Sequence, residues 1–99
     1  MPEAASRAHA ASPCAVRVAS PLRSYTGGAA QVAADGGNLG AVLACLDAAY
    51  PGIRFRIIDE QDRIRPHIRL FVSGTEALRL DVAVAPGDTV HLVCALSGG

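Results

Sequence analysis

Residues 38–52, NLGAVLACLDAAYPG, carry the strongest local signal in the chain. Leu39, Val42, Leu43, Leu46 and Tyr50 recur at three- and four-residue spacing, which puts one apolar stripe along a helix. Asn38 stands at the N-cap position, where its side-chain oxygen accepts a hydrogen bond from an otherwise free backbone N–H. Pro51 disfavours helical geometry at Tyr50, and Gly52 accepts a left-handed conformation, so the helix stops there after about three turns.

Upstream of this helix, Val16 and Val18 alternate with Arg17 and Ala19, a short strand limited by Pro21. Gly27-Gly28 is a turn signal, and Gln31–Ala34 reads as a second, weaker strand returning beside the first. Downstream, Ile53, Phe55, Ile57 and Ile58 are core candidates, followed by a charged loop of Asp59, Glu60, Asp62, Arg63 and Arg65. Ile68, Leu70 and Val72 alternate with Arg69, Phe71 and Ser73 in a strand that ends at Gly74-Thr75. Leu78 and Leu80 suggest a short edge strand, and Pro86-Gly87-Asp88 a turn. Thr89–Cys94 is the last strand, with Val90, Leu92 and Cys94 on one face and His91 and Val93 on the other. This order predicts an α+β domain: a mixed four- to five-stranded sheet with one main helix packed on one face. The β-grasp, or ubiquitin-like, arrangement has that order. The expected organisation is a disordered tail over residues 1–14, the domain over 15–95 and a flexible tail over 96–99.

Composition narrows the function. The 99 residues carry nine Arg, no Lys, and nine Asp plus Glu, for a net charge of zero. Nucleic-acid and anionic-membrane binders show a basic excess, so neither is an expected partner. Without Lys, no Schiff base, Lys nucleophile or phosphate-cradling Lys is possible. Cys14, Cys45 and Cys94 form an odd set without C-x-x-C spacing, which fits a reducing compartment, the cytoplasm, better than a disulfide framework. No His/Cys spacing suits zinc, so no metal site is expected. Gly36, Gly37 and Gly40 before the helix could bind an anion, but a turn plus a cap is the favoured reading. Asp59, Glu60 and Asp62 interleave with Arg as a solvated loop face more readily than as cation ligands. Cys45 and Cys94 read as small buried hydrophobes, and no catalytic motif is present, so the chain is not expected to be an enzyme. The segment MPEAASRAHAASPC has neither the apolar core of a secretory signal nor a transit peptide's length.

The terminus offers chemistry. The sequence ends in Gly98-Gly99 directly after the last strand. Two residues without side chains let a tail extend through a narrow channel. A carboxylate is a poor electrophile, but joined to AMP by ATP it becomes a mixed anhydride open to sulfur or nitrogen nucleophiles.

An ordered set of short motifs accompanies that tail: Pro21-Leu22-Arg23 with Thr26-Gly27-Gly28, Asn38-Leu39-Gly40-Ala41-Val42-Leu43, Tyr50-Pro51-Gly52, Ile68-Arg69-Leu70-Phe71-Val72, Pro86-Gly87-Asp88-Thr89-Val90 and Ala95-Leu96-Ser97-Gly98-Gly99. From Val16 to Gly99 the chain resembles the MoaD/ThiS-like ubiquitin-fold sulfur carriers. Its pattern is closest to the subfamily serving cysteine biosynthesis in actinobacteria. It departs at Gly37, where relatives often carry Asp. The resemblance implies that an ATP-dependent adenylyltransferase adenylates Gly99, with Gly98 as its slender neighbour. A sulfur donor then displaces AMP, and the Gly99 thiocarboxylate delivers sulfide inside a cysteine-synthase-like or molybdopterin-synthase-like partner. ATP and the sulfur donor belong to the partner reactions, and no cofactor is bound stably. By the same likeness Phe71, His91, Val93, Leu96 and Ser97 form the partner-binding surface. Phe71, His91 and Val93 also fall on the strand faces opposite the core set, unless the 53–67 segment folds over them. Two other readings stay open: a protein modifier joined to targets through Gly99, and a non-covalent binding domain.

Overall fold

The computed structural model describes residues 13–95. Five strands, β1 (Cys14–Val18), β2 (Gln31–Ala34), β3 (Ile68–Val72), β4 (Thr75–Ala77) and β5 (Thr89–Cys94), make one sheet in the order β2-β1-β5-β3-β4. β1 runs antiparallel to β2 and parallel to β5, while β3 is antiparallel to both β5 and β4. Helix α1 (Leu39–Ala49) supplies the core layer above the sheet, and a second, short helix α2 (Ile53–Ile57) packs against it.

The stripe read from the sequence is the buried face of α1: Leu39, Val42 and Leu43 are 0% exposed and Leu46 is 1% exposed. They meet Val16, Val18, Leu70, Val90 and Leu92 from the sheet, each buried by the period-two alternation of its strand. Burying each such side chain contributes roughly 1.5–3 kcal/mol. Asn38 caps α1 as expected, its Oδ1 accepting the Ala41 N–H at 2.8 Å. Gly52 is left-handed (φ +97°), and the Asp47 carboxylate accepts from Gly52 N and Arg54 N, tying the end of α1 to the start of α2.

Several expectations need correction. Cys14 opens β1 and is buried, so it belongs to the domain and not to a tail over residues 1–14. Pro21 does end β1, but the chain then winds into a 3₁₀ segment, Ser20–Thr26, instead of passing straight to a turn. Residues 53–57 are helical, so Ile53 and Ile57 sit one turn apart in the core while Phe55 points outward, 56% exposed. The edge strand is Thr75–Ala77. Leu78 and Leu80 lie beyond it, with Leu78 76% exposed, because the pairing with β3 already ends at Leu70–Ala77.

Candidate functional site

β5 lies at the centre of the sheet, and its final hydrogen bond, Ala95 N–H to His67 O at 2.7 Å, fixes where the chain leaves the domain. Leu96, Ser97, Gly98 and Gly99 lie outside the described residues, as does most of the segment read as an N-terminal tail. The other three site residues come together on the sheet face opposite the helices. Phe71 of β3 is directly across from His91 of β5, and Val93 is across from Arg69. The same row continues from His91 to Arg17 of β1 and Gln31 of β2, and from Phe71 to Glu76 of β4.

This face has an apolar centre and a tied polar rim. Val93 is 38% exposed, and Phe71 and His91 are half-buried. Arg17 donates to Gln31 Oε1 at 3.2 Å, and Arg69 pairs with Glu76 at 3.1 Å. Both guanidinium groups are thus held by sheet neighbours in front of a patch suited to a partner surface. The first part of the 53–67 segment does not fold over it: α2, Ile53–Ile57, packs on α1 and the 3₁₀ segment, on the opposite side of the sheet.

The other candidate groups are engaged by the protein itself. Every first-turn N–H of α1 has a protein acceptor: Leu39 N bonds to Val82 O, Gly40 N to Leu80 O, Ala41 N to Asn38 Oδ1 and Val42 N to Asn38 O. The glycines before α1 therefore serve a turn and a cap. At Gly36 a Cβ would lie 2.5 Å from Val42 N, so the turn crosses the helix where only hydrogen fits. Asp59 accepts from the backbone N–H groups of Arg63 and Gln61, which holds its carboxyl below the usual range, and Asp62 pairs with Arg54. Among the described residues no group of three or more His, Cys, Asp or Glu is placed to hold a metal ion. Burial pushes the Cys14 thiol up, and its Sγ donates to Ala34 O at 3.3 Å. Cys45 Sγ accepts from the next N–H, Asp35 N, at 3.4 Å, so one peptide unit separates the two sulfurs. Burial also pushes the Cys94 thiol up, opposed by the nearby Arg56 cation.

Sequence reasoning missed one surface feature. Phe55 carries the Arg65 guanidinium 4.5 Å from its ring centroid, and Arg65 Nε donates to Phe55 O at 2.7 Å. The four-residue Ile53–Ile57 spacing was the available signal, because it excludes Phe55 from the buried side of a helix.

Comparison with known proteins follows the same lines. No family model matches the chain. The sulfur carrier protein CysO of Mycobacterium tuberculosis is 35% identical over 89 residues, which cover 85% of this chain and 96% of that protein. The chain belongs to the CysO sulfur carrier family. The crystal structure of that CysO superposes with a TM-score of 0.79 at 32% identity, covering 84% of this chain and 99% of the other. A chain of the Amycolatopsis orientalis BexX/CysO complex gives 0.81 at 26% identity, covering 87% and 99%. Small archaeal modifier protein 3 of Haloferax volcanii is 32% identical over 68 residues, 66% of this chain and 73% of its own length. The β-grasp fold and the carrier family expected from the sequence are therefore both established. Among the described residues no helix is long and apolar enough to cross a membrane.

Proposed function

We propose that this sulfur carrier is charged at the Gly99 carboxylate. The observation that carries the reading is geometric: the central strand β5 ends at Cys94 beside the open Phe71–His91–Val93 face and leads into the Leu96–Gly99 tail. A partner docked on that face receives the tail in its own active site. The carboxylate oxygen attacks the α-phosphorus of ATP and pyrophosphate leaves. A sulfur nucleophile then adds to the acyl carbon and AMP departs, leaving a thiocarboxylate. That sulfur is transferred in a second enzyme of the cysteine-synthase or molybdopterin-synthase type, and hydrolysis restores the carboxylate. Gly98 and Gly99 add no side-chain bulk around the acyl carbon. Leu96 and Ser97 extend the docking surface, and the chain itself is a co-substrate, not a catalyst. CysO of A. orientalis occurs in complex with BexX, which supports a partner-docking role. Three free thiols suit the reducing cytoplasm.

The test is intact mass of the protein from its host, followed by fragmentation of the C-terminal peptide, then reconstitution with the host adenylyltransferase, ATP and sulfide. Replacement of one Gly99 oxygen by sulfur is the expected result. A carboxylate unchanged in the reconstitution overturns the reading. The likeness to a small archaeal modifier favours one second reading, conjugation through Gly99. The chain has no Lys, so it forms no Lys-linked chains on itself, and conjugates to other proteins on a denaturing gel distinguish that role.

A further inference from the structure

The parallel pairing of β1 with β5 stops at Val18–Leu92. There β1 bends into the 3₁₀ segment, and Leu22 N–H claims the Ala19 carbonyl at 2.8 Å. β5 runs on for two more residues. Its main-chain groups alternate sides: Thr89 O and Ala95 N bond to Ser73 N and His67 O on the β3 side, whereas Asp88 O accepts from Ala15 N on the β1 side. Cys94 faces Ile68 as a non-hydrogen-bonded pair, so its N–H and C=O point to the side that β1 has vacated. The ladder to β1 ends two residues short of Cys94, and among the described residues no turn or loop bond reaches either group.

Beside this short open edge lies a cavity of about 430 Å³ lined by Ala19, Ser20, Pro21, Leu92, Val93 and Cys94. Arg56 is close enough to act on Cys94, is exposed, and has no acidic partner among the described residues, whereas the neighbouring Arg54 and Arg63 pair with Asp62 and Asp59. An unpaired strand edge recognises an extended backbone, and a side cavity selects what that backbone carries. A cation acting on Cys94, with no acidic partner among the described residues, selects a carboxylate.

We propose that this notch receives an extended segment of the enzyme that activates Gly99, pairing by main chain with Cys94, filling the cavity with a small apolar side chain and presenting an acidic residue to Arg56. The notch adjoins the root of the tail, so a partner that draws the tail into its active site meets it. This inference rests on the carrier reading, and it adds how the partner grips the chain.

The test uses an adenylyltransferase that has passed the thiocarboxylate assay, so a failure of the carrier reading is seen first and separately. Cys94 is itself a ligation point. Residues 1–93 as a thioester join a synthetic Cys94–Gly99 hexapeptide, with or without an N-methyl group on Cys94. Methylation removes a donor with no partner among the described residues, so the melting temperature stays unchanged. The expected result is a rise of about fivefold in KM for the carrier at unchanged kcat, the worth of about one hydrogen bond. Arg56→Ala raises KM by an amount that shrinks as salt is added. In the unmodified protein, the Cys94 amide exchanges with deuterium freely alone and slowly in the complex. An unchanged KM for the methylated protein, or equally fast exchange with the enzyme bound, overturns the proposal. So does a concentration-dependent dimer that protects the same amide, since that assigns the notch to a second copy.

Discussion

Replacing Phe71 by Ala and, separately, its neighbour Leu70 by Ala separates recognition from stability on one strand. Phe71 is half-buried on the open face, across from His91 and Glu76. Truncating it removes cross-strand contacts worth up to about 1 kcal/mol, a melting shift of roughly 4–8 °C at most. Leu70 is 0% exposed beneath α1. Its truncation leaves a cavity and costs about 2–5 kcal/mol, or roughly 8–40 °C in a domain of this size. The functional expectation is reversed. An aromatic anchor at the centre of a docking surface is worth about 2 kcal/mol or more, so Phe71→Ala raises the carrier KM of its adenylyltransferase at least about thirtyfold. Leu70→Ala leaves KM within about twofold of wild type while the protein stays folded. Circular-dichroism melts give the first quantity, and pyrophosphate exchange against carrier concentration, well below both melting points, gives the second. A Phe71→Ala protein with wild-type KM, or a folded Leu70→Ala protein with an equally raised KM, refutes the assignment of this face to partner docking.

Three further outcomes are expected. Asp88 accepts from Ala85 N and Ser73 Oγ, each at 2.8 Å, and the two bonds hold its carboxyl below the usual 3.8. A depressed folded-state pKa contributes stability above the unfolded value and loses it as pH falls through the folded one. The melting-temperature advantage of wild type over Asp88→Asn is therefore present at neutral pH and fades below pH 3.8; a gap that is the same in strong acid contradicts this. Gly36→Ala drives a Cβ to 2.5 Å from the Val42 backbone nitrogen, and the strained turn lowers denaturant stability by about 1–3 kcal/mol; a stabilised variant shows that the turn lies elsewhere. In the native protein, iodoacetamide labels Cys45 and Cys94 before Cys14, which is 3% exposed with its thiol pushed up by burial; early labelling of Cys14 by peptide mapping disproves that burial.

What was legible in the sequence followed from single-period patterns. Leu39 to Leu46 have only one reading, because a cap and a Pro-Gly stop bracket the stripe. Thr89–Cys94 alternates cleanly, so its two faces are legible in the sequence, and Phe71, His91 and Val93 fall on the open face for that reason. The segment IRFRI is ambiguous: its apolar residues alternate like a strand, yet Ile53 and Ile57 are also one helical turn apart. Packing against α1 chose the helix and turned Phe55 outward. The edge strand was misplaced because Leu78 and Leu80 are more apolar than Thr75-Glu76-Ala77. Its register, however, is set by the tight turn at Ser73-Gly74, both with positive φ, and not by hydrophobicity. The vacated edge at Cys94 had no sequence signature, since it depends on where two strands distant in the chain part company.

The central place of β5 also bears on the protein's synthesis. β1 and β3 do not touch as neighbours in the sheet; each is joined to β5, the last strand to be translated. The nascent chain therefore holds its two halves without the strand that unites them until residue 94 has emerged, and only then can the sheet close. A partner that reads the assembled sheet meets no partly made product lacking β5. The order of strands thus acts as a check on completeness, built into the topology, before any sulfur is committed.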